Sequence, residues 1–206
     1  MASWNRALKE GLLAGSVASV LSTLTLAALG RRETGHAAAP TNAIGHWLWR
    51  GESFRASEPD LRHTLAGYLI HHATSVFWAT LYSRAYGQRP GAKAAAHALP
   101  AAAVASALAC LVDYQLTPRR LQPGFEKRLS TPAMVAVYGS FALGLAAGNL
   151  LLARREERAW AGERRRTPDR RQRPRRANEM APDRRRWRAG QPAMMGESWS
   201  ATVTTP

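Results

Sequence analysis

The sequence predicts an all-α fold: a four-transmembrane-helix bundle with a short interfacial amphipathic helix and a disordered basic C-terminal tail. Three observations lead there. Four uncharged apolar runs occupy residues 11–30, 64–83, 94–112 and 131–153. Each is close to the ~20 residues a helix needs to cross ~30 Å of hydrocarbon. Of 29 lysines and arginines, 15 are arginines lying between Arg154 and Arg188. The stretch 154–206 has almost no aliphatic side chains, so it cannot bury enough apolar surface to fold alone. Residues 1–153 are thus expected to form the membrane domain and 154–206 a cytoplasmic tail. The net charge of +15 and mean hydropathy of −0.31 average these two unlike regions. A nucleic-acid-binding globule is excluded, because its core would have to come from the same four runs.

The first run, Gly11–Gly30, is longer than a signal-peptide core of ~7–15 residues. The only small-residue site after it, Ala37–Ala39, is separated from it by Arg31, Arg32 and Glu33. It reads as a retained helix. Thr41 can then cap a short helix that Gly51 ends, with Ile44, Trp47 and Leu48 at i, i+3, i+4 spacing. Trp47 and Trp49 favour headgroups, which predicts an amphipathic helix lying on the outer surface; a loop folded over the bundle is the other possibility. The second span, 64–83, holds His71 and His72 and ends near Trp78 and Tyr82, residues suited to a membrane–water boundary. The third begins with Pro100 in its first turn, its regular part starting near Leu99, and continues to about residue 116, where Thr117-Pro118 stops it. Ser130-Thr131-Pro132 caps and opens the fourth, 131–153, which Arg154 to Arg166 can prolong.

Four spans place both termini on one side. Counting the tail only to Pro168, eleven Lys and Arg flank the terminal side and nine the other. Together with the tail arginines, this favours cytoplasmic termini in a bacterial inner membrane. The 26 arginines against three lysines, with abundant alanine, match the codon usage of a GC-rich bacterial genome. One cysteine, Cys110, permits neither an intramolecular disulfide nor a cysteine zinc site.

Small residues recur every fourth position: Gly11, Gly15, Ser19 and Thr23; Gly67, His71, Ser75 and Ala79; Ala101, Ala105, Ala109 and Asp113; Ser140, Gly144 and Gly148. Such ridges let helices approach closely in lipid. His71 and Asp113 lie on them and should face inward, and ionisable residues within a span are functional candidates by default. At ~1.5 Å per residue, His71 and Tyr138 fall at one depth with Ser22 and Thr23, and Asp113 lies nearer the outer face. A proton-linked polar pocket of His71, Asp113, Tyr138 and Thr23 is coherent; so is a purely structural role for these groups. A haem between His71 and His97 fails, because the two lie ~15 Å apart along the membrane normal. No metal, no cofactor and no nucleophile–base arrangement is expected, hence no enzyme.

Two stretches, Thr41 to Trp49 with Gly67 to His72, and Asp113-Tyr114 through Leu116-Thr117-Pro118 to Pro123-Gly124-Phe125-Glu126, resemble uncharacterised small integral membrane proteins of proteobacteria. The likeness covers about residues 8–153, and that family implies no activity. Two functions are expected. One is a structural or accessory component that associates with other membrane proteins, or with itself, through small-residue faces. The alternative is a small transporter or channel subunit using the His71 pocket. The lipid bilayer is the expected partner throughout, with anionic headgroups attracted to the tail of net charge +8 and no specific nucleic acid.

Overall fold

A computed structural model describes residues 3–89 and 91–166. The chain divides into Met1–Gly162 and Glu163–Pro206; of the second unit only 163–166 are described, as the last turn of a helix. The tail expected over 154–206 is therefore helical as far as Arg166, and the remainder lies outside the described residues.

The fold is all-helical among the described residues. Its elements are α1 (Trp4–Thr34), α2 (Ala39–Ile44), α3 (His46–Trp49), α4 (His63–Tyr82), α5 (Ala95–Leu111) and α6 (Thr131–Arg166). Single π-helical turns extend α4 over Ser83–Gly87 and α5 over Val112–Leu116. Three helices are long and apolar enough to cross a membrane: Trp4–Thr34, Ala95–Leu116 and Thr131–Arg165. The fourth, α4, has 20 residues but is less apolar, since it carries His63, His71 and His72.

Local chemistry explains the ends. Ser3 caps α1 by accepting from the Arg6 N–H, and Gly35, at φ +78°, ends it. Pro100 does not open α5 as expected. The helix starts a turn earlier, at Ala95, which leaves Pro100 inside it on an exposed face, where its missing N–H removes one ladder bond.

Helix α1 is gripped on two sides. Gly11 and Gly15 lie against Thr80 and Val76 of α4, while Ala14 and Ala18 receive Gly148 and Gly144 of α6. The centre of the packing is nearly all small: Ala14, Ala18, Ala79, Ala98, Ala102 and Ala146 surround Phe141 and Leu145. Small side chains let the backbones approach, and dispersion across those contacts replaces the hydrophobic drive that lipid cannot supply. Ser19 and Ser75 are buried in the same packing. Ser140 is half-buried and donates to the Val137 carbonyl of its own helix, 2.8 Å, instead of meeting a neighbour.

The segment expected as one amphipathic surface helix is different. It is broken into α2 and α3 at Gly45, and every residue from Ala39 to Ile44 is buried. Gly67 of α4 makes this possible, because the Thr41 carbonyl occupies the place a Cβ would need. Ile44 is buried while Leu48 is 59% exposed, so they do not share one apolar face. Asn42, fully buried, donates to the carbonyls of Ala56 (3.2 Å) and Glu58 (2.9 Å) and accepts from Thr64 (2.6 Å). The first two bonds fold residues 53–62 back over α2, the second possibility the sequence left open, and the third ties Asn42 to α4. Arg128 ties the other loop to this cap by donating to the Phe54 carbonyl (2.8 Å) and Ser57 (2.6 Å).

Asp60 secures the start of α4. It accepts from the His63 N–H and ring, and its own N–H donates to Thr64, 2.9 Å. The two His63 bonds hold the Asp60 carboxyl below its usual range. A carboxylate depressed in the folded state contributes stability that is fully present above its unfolded pKa and is lost as pH falls through the folded value. Amide protection factors in residues 53–65, corrected for the intrinsic slowing of exchange in acid, should therefore fall on acidification to below the ordinary carboxylate range. Asp60→Asn should remove that step; an unchanged acid profile in the variant would assign the effect elsewhere.

Candidate functional site

Between α1, α4, α5 and α6, under the cap, lies a cavity of about 250 Å³. Three of the four predicted polar residues line it: His71, Asp113 and Tyr138. The fourth does not. Thr23 is turned away with its hydroxyl buried and unpartnered, and Ser22 occupies the wall, 2.8 Å from His71 Nε2 in a hydrogen bond. The reason is helical drift: four-residue steps advance 400°, or 40° past a full turn, so three steps from Gly11 leave the face that Ser22 regains.

Each polar group is positioned by a different element. His71 is carried by the middle of α4, and Ser22 also donates to the Ala18 carbonyl, 2.8 Å, which holds its Oγ at the wall. Asp113 sits on the π-turn that ends α5. A π-turn inserts a residue into the helical repeat and re-aims side chains, and such turns frequently mark functional sites. The Tyr138 hydroxyl donates to Asp113 Oδ2 at 2.7 Å, and Ser106 of α5 donates to the Tyr138 carbonyl at the same distance, pinning α6 to α5. Tyr114 and Phe125 pack around the Tyr138 ring at centroid distances of 6.3 and 6.2 Å.

Most of the remaining wall is aromatic or aliphatic, and the loops close it. Gly124, at φ +92°, lies against the Ala43 carbonyl and the His46 ring, a position only glycine can fill. This seats Phe125 and Pro123 over the cavity mouth. Trp47 contributes as well, its indole N–H donating to the Gln122 carbonyl at 3.0 Å. Trp49 is held under the Arg62 guanidinium, 4.4 Å from the ring, and donates to the Arg62 carbonyl. Both tryptophans, expected to anchor a surface helix, instead bind the cap together.

Comparison with family models, with curated proteins and with solved structures returns no match for this chain. The site must be read from its own geometry. Among the described residues no group of His, Cys, Asp and Glu is arranged to hold a metal ion. His97 is exposed near the start of α5, and the His72 ring packs at a tilt against Tyr68, centroids 5.7 Å apart.

A second polar cluster, which the sequence reading missed, lies at the terminal end of the helices. Glu10, 4% exposed, accepts from Lys93 (2.8 Å), from Arg6 (3.0 Å) and from Ser83, and Glu156 joins both cations. It joins α1, the α4–α5 connection and α6. The only signal in the sequence was one acidic residue adjoining an apolar run; its buried cation Lys93 is 83 positions away, and Glu156, which shares that cation, is 63 positions further on.

Proposed function

We propose that this chain is a four-span protein of the bacterial inner membrane, its termini cytoplasmic, that takes a small molecule into the His71–Asp113 cavity as a small transporter or binding subunit. One observation carries the reading. Polar groups from four helices converge on a cavity of about 250 Å³ whose remaining wall is mostly apolar, the pattern of a small-molecule site. The α4 helix is taken as a fourth span because 20 residues reach ~30 Å, and its polar face is sheltered by α1 and the cap. The resemblance of residues 8–153 to small proteobacterial membrane proteins agrees with this location and adds no activity.

The accessory role has less support than the ridges suggested. Gly11, Gly15, Gly144 and Gly148 all meet helices of the same chain, so a partner would have to use another surface. A proton-linked carrier makes a direct prediction. Reconstituted in vesicles with an internal pH dye, the protein should pass a pH-dependent flux. His71→Ala, folded by circular dichroism, should lower that flux at least about tenfold, the loss expected of a general acid–base group. A silent wild type, or a variant as active as wild type, would overturn the reading.

A further inference from the structure

We propose that the cavity accepts a lipophilic organic cation, its charged head beside Asp113 and its hydrocarbon body along the seam between α4 and α5. The inference rests on the reading of the cavity as a ligand site and names the class of ligand. Its first support is charge. Among the described residues, Asp113 is the one acidic residue in the wall, and no lysine or arginine lines the cavity. Among the described residues Asp113 is in no ion pair; its partner is the neutral Tyr138 hydroxyl. The cations of the adjoining loop are elsewhere: Arg119, Arg120 and Lys127 are exposed, and Arg128 is bound to Phe54 and Ser57. Glu126, near the Tyr114 hydroxyl at 3.5 Å, adds a second negative charge to this end. An anionic ligand would meet like charge here, and a cation would supply the missing counter-charge.

The second support is the wall itself. Trp47, Trp78, Phe77, Phe125, Tyr138 and Phe141 line the cavity. Aromatic faces attract cations, most strongly when water is excluded, and they recognise quaternary ammonium groups without needing a hydrogen-bond donor on the ligand. The third support is the route. Phe77, 56% exposed, is both a lining residue and part of the outer flank of α4. Trp78 lines the cavity and also an apolar groove that runs on between α4 and α5 past Leu81, Ala101, Val104 and Leu108. A hydrocarbon body attached to the head has a continuous apolar track toward the bilayer.

The test uses the full chain in lipid nanodiscs and two probes of one shape: benzyltrimethylammonium, and neopentylbenzene, in which carbon replaces the charged nitrogen. Equilibrium dialysis against empty nanodiscs should show saturable binding of the cation and at least about tenfold weaker binding of the neutral probe, a difference of ~1.4 kcal/mol. Asp113→Asn should weaken the cation by at least about the same factor, while Tyr138→Phe, which keeps the carboxyl and the ring, should still bind it saturably. Equal binding of the two probes to wild type, or an unchanged cation affinity in folded Asp113→Asn, overturns the cation assignment and leaves the cavity as a ligand site. Saturable binding of neither overturns both. The two-probe comparison needs no variant, so it decides the matter even where Asp113→Asn does not fold.

Discussion

Replacing Gly144 by leucine is expected to destabilise the folded protein by ~3 kcal/mol or more, the upper end of overpacking costs. At Gly144 a Cβ would fall on the Ala18 Cα, and at Gly148 a Cβ would stand 2.5 Å from the Ala14 Cα. These obstacles are backbone, so no rotamer change relieves them; α6 must move off α1, and the Ala14–Ala18–Leu145 packing opens with it. Gly15→Leu should behave alike, because its Cβ would lie 2.6 Å from Val76 Cα on the neighbouring face of α1, where α4 packs. Gly139 supplies the control. Nothing lies within 4 Å of a Cβ there, so Gly139→Leu should be neutral or stabilise by up to ~1 kcal/mol through relief of glycine's backbone entropy. Reversible unfolding in mixed micelles measures all three. Equal losses at positions 139 and 144 would show that leucine is disfavoured for some reason other than the helix contact.

Removing the Lys93 charge is expected to cost nearly as much. The side chains of Glu10 and Lys93 are only 5% and 13% exposed, so each carries a large desolvation cost that the other offsets. Lys93→Met leaves the Glu10 carboxylate buried without its buried cation, with Arg6 and Ser83 as its remaining donors. The expected loss is about 3 kcal/mol, the low end of the ~3–5 kcal/mol for an orphaned buried charge, since Arg6 still bonds Glu10 from the surface. The Glu10→Gln, Lys93→Met double variant should recover part of that loss, because no unpaired charge then stays buried. A double variant as unstable as the sum of its parts would show that the two side chains stabilise the fold independently. Arg6→Ala should be mild by comparison, its side chain being 55% exposed and its ion pairs screened by solvent.

Several features were legible in the sequence because they depend on local pattern. Helices over all four apolar runs follow from uncharged length alone, the stop of the third follows from Thr117-Pro118, and the start of the fourth from Ser130-Thr131-Pro132. The glycines of contact, Gly11, Gly15, Gly67, Gly144 and Gly148, were found by counting fours. Counting fours also produced the errors. A strict four-residue ridge drifts by 40° per step, so Thr23, three steps on, left the face on which Gly11 lies. Ser22, and the buried set Ala98, Ala102, Ser106 and Ala109, mix steps of three and four and stay on one line.

By itself, then, the sequence determined that this chain is helical, where its long helices run, and which titratable residues fall among apolar neighbours. Those properties are set by side-chain polarity and helical period within one segment. The tertiary structure decided what the segments do to one another. It turned a would-be surface helix into the buried α2 because Gly67 admits the Thr41 carbonyl. It also brought Asp113 to Tyr138 across a π-turn and placed Glu10 against Lys93, 83 positions away. Such pairings depend on which backbones approach closely enough to exclude water, and that is a property of the packed helices together.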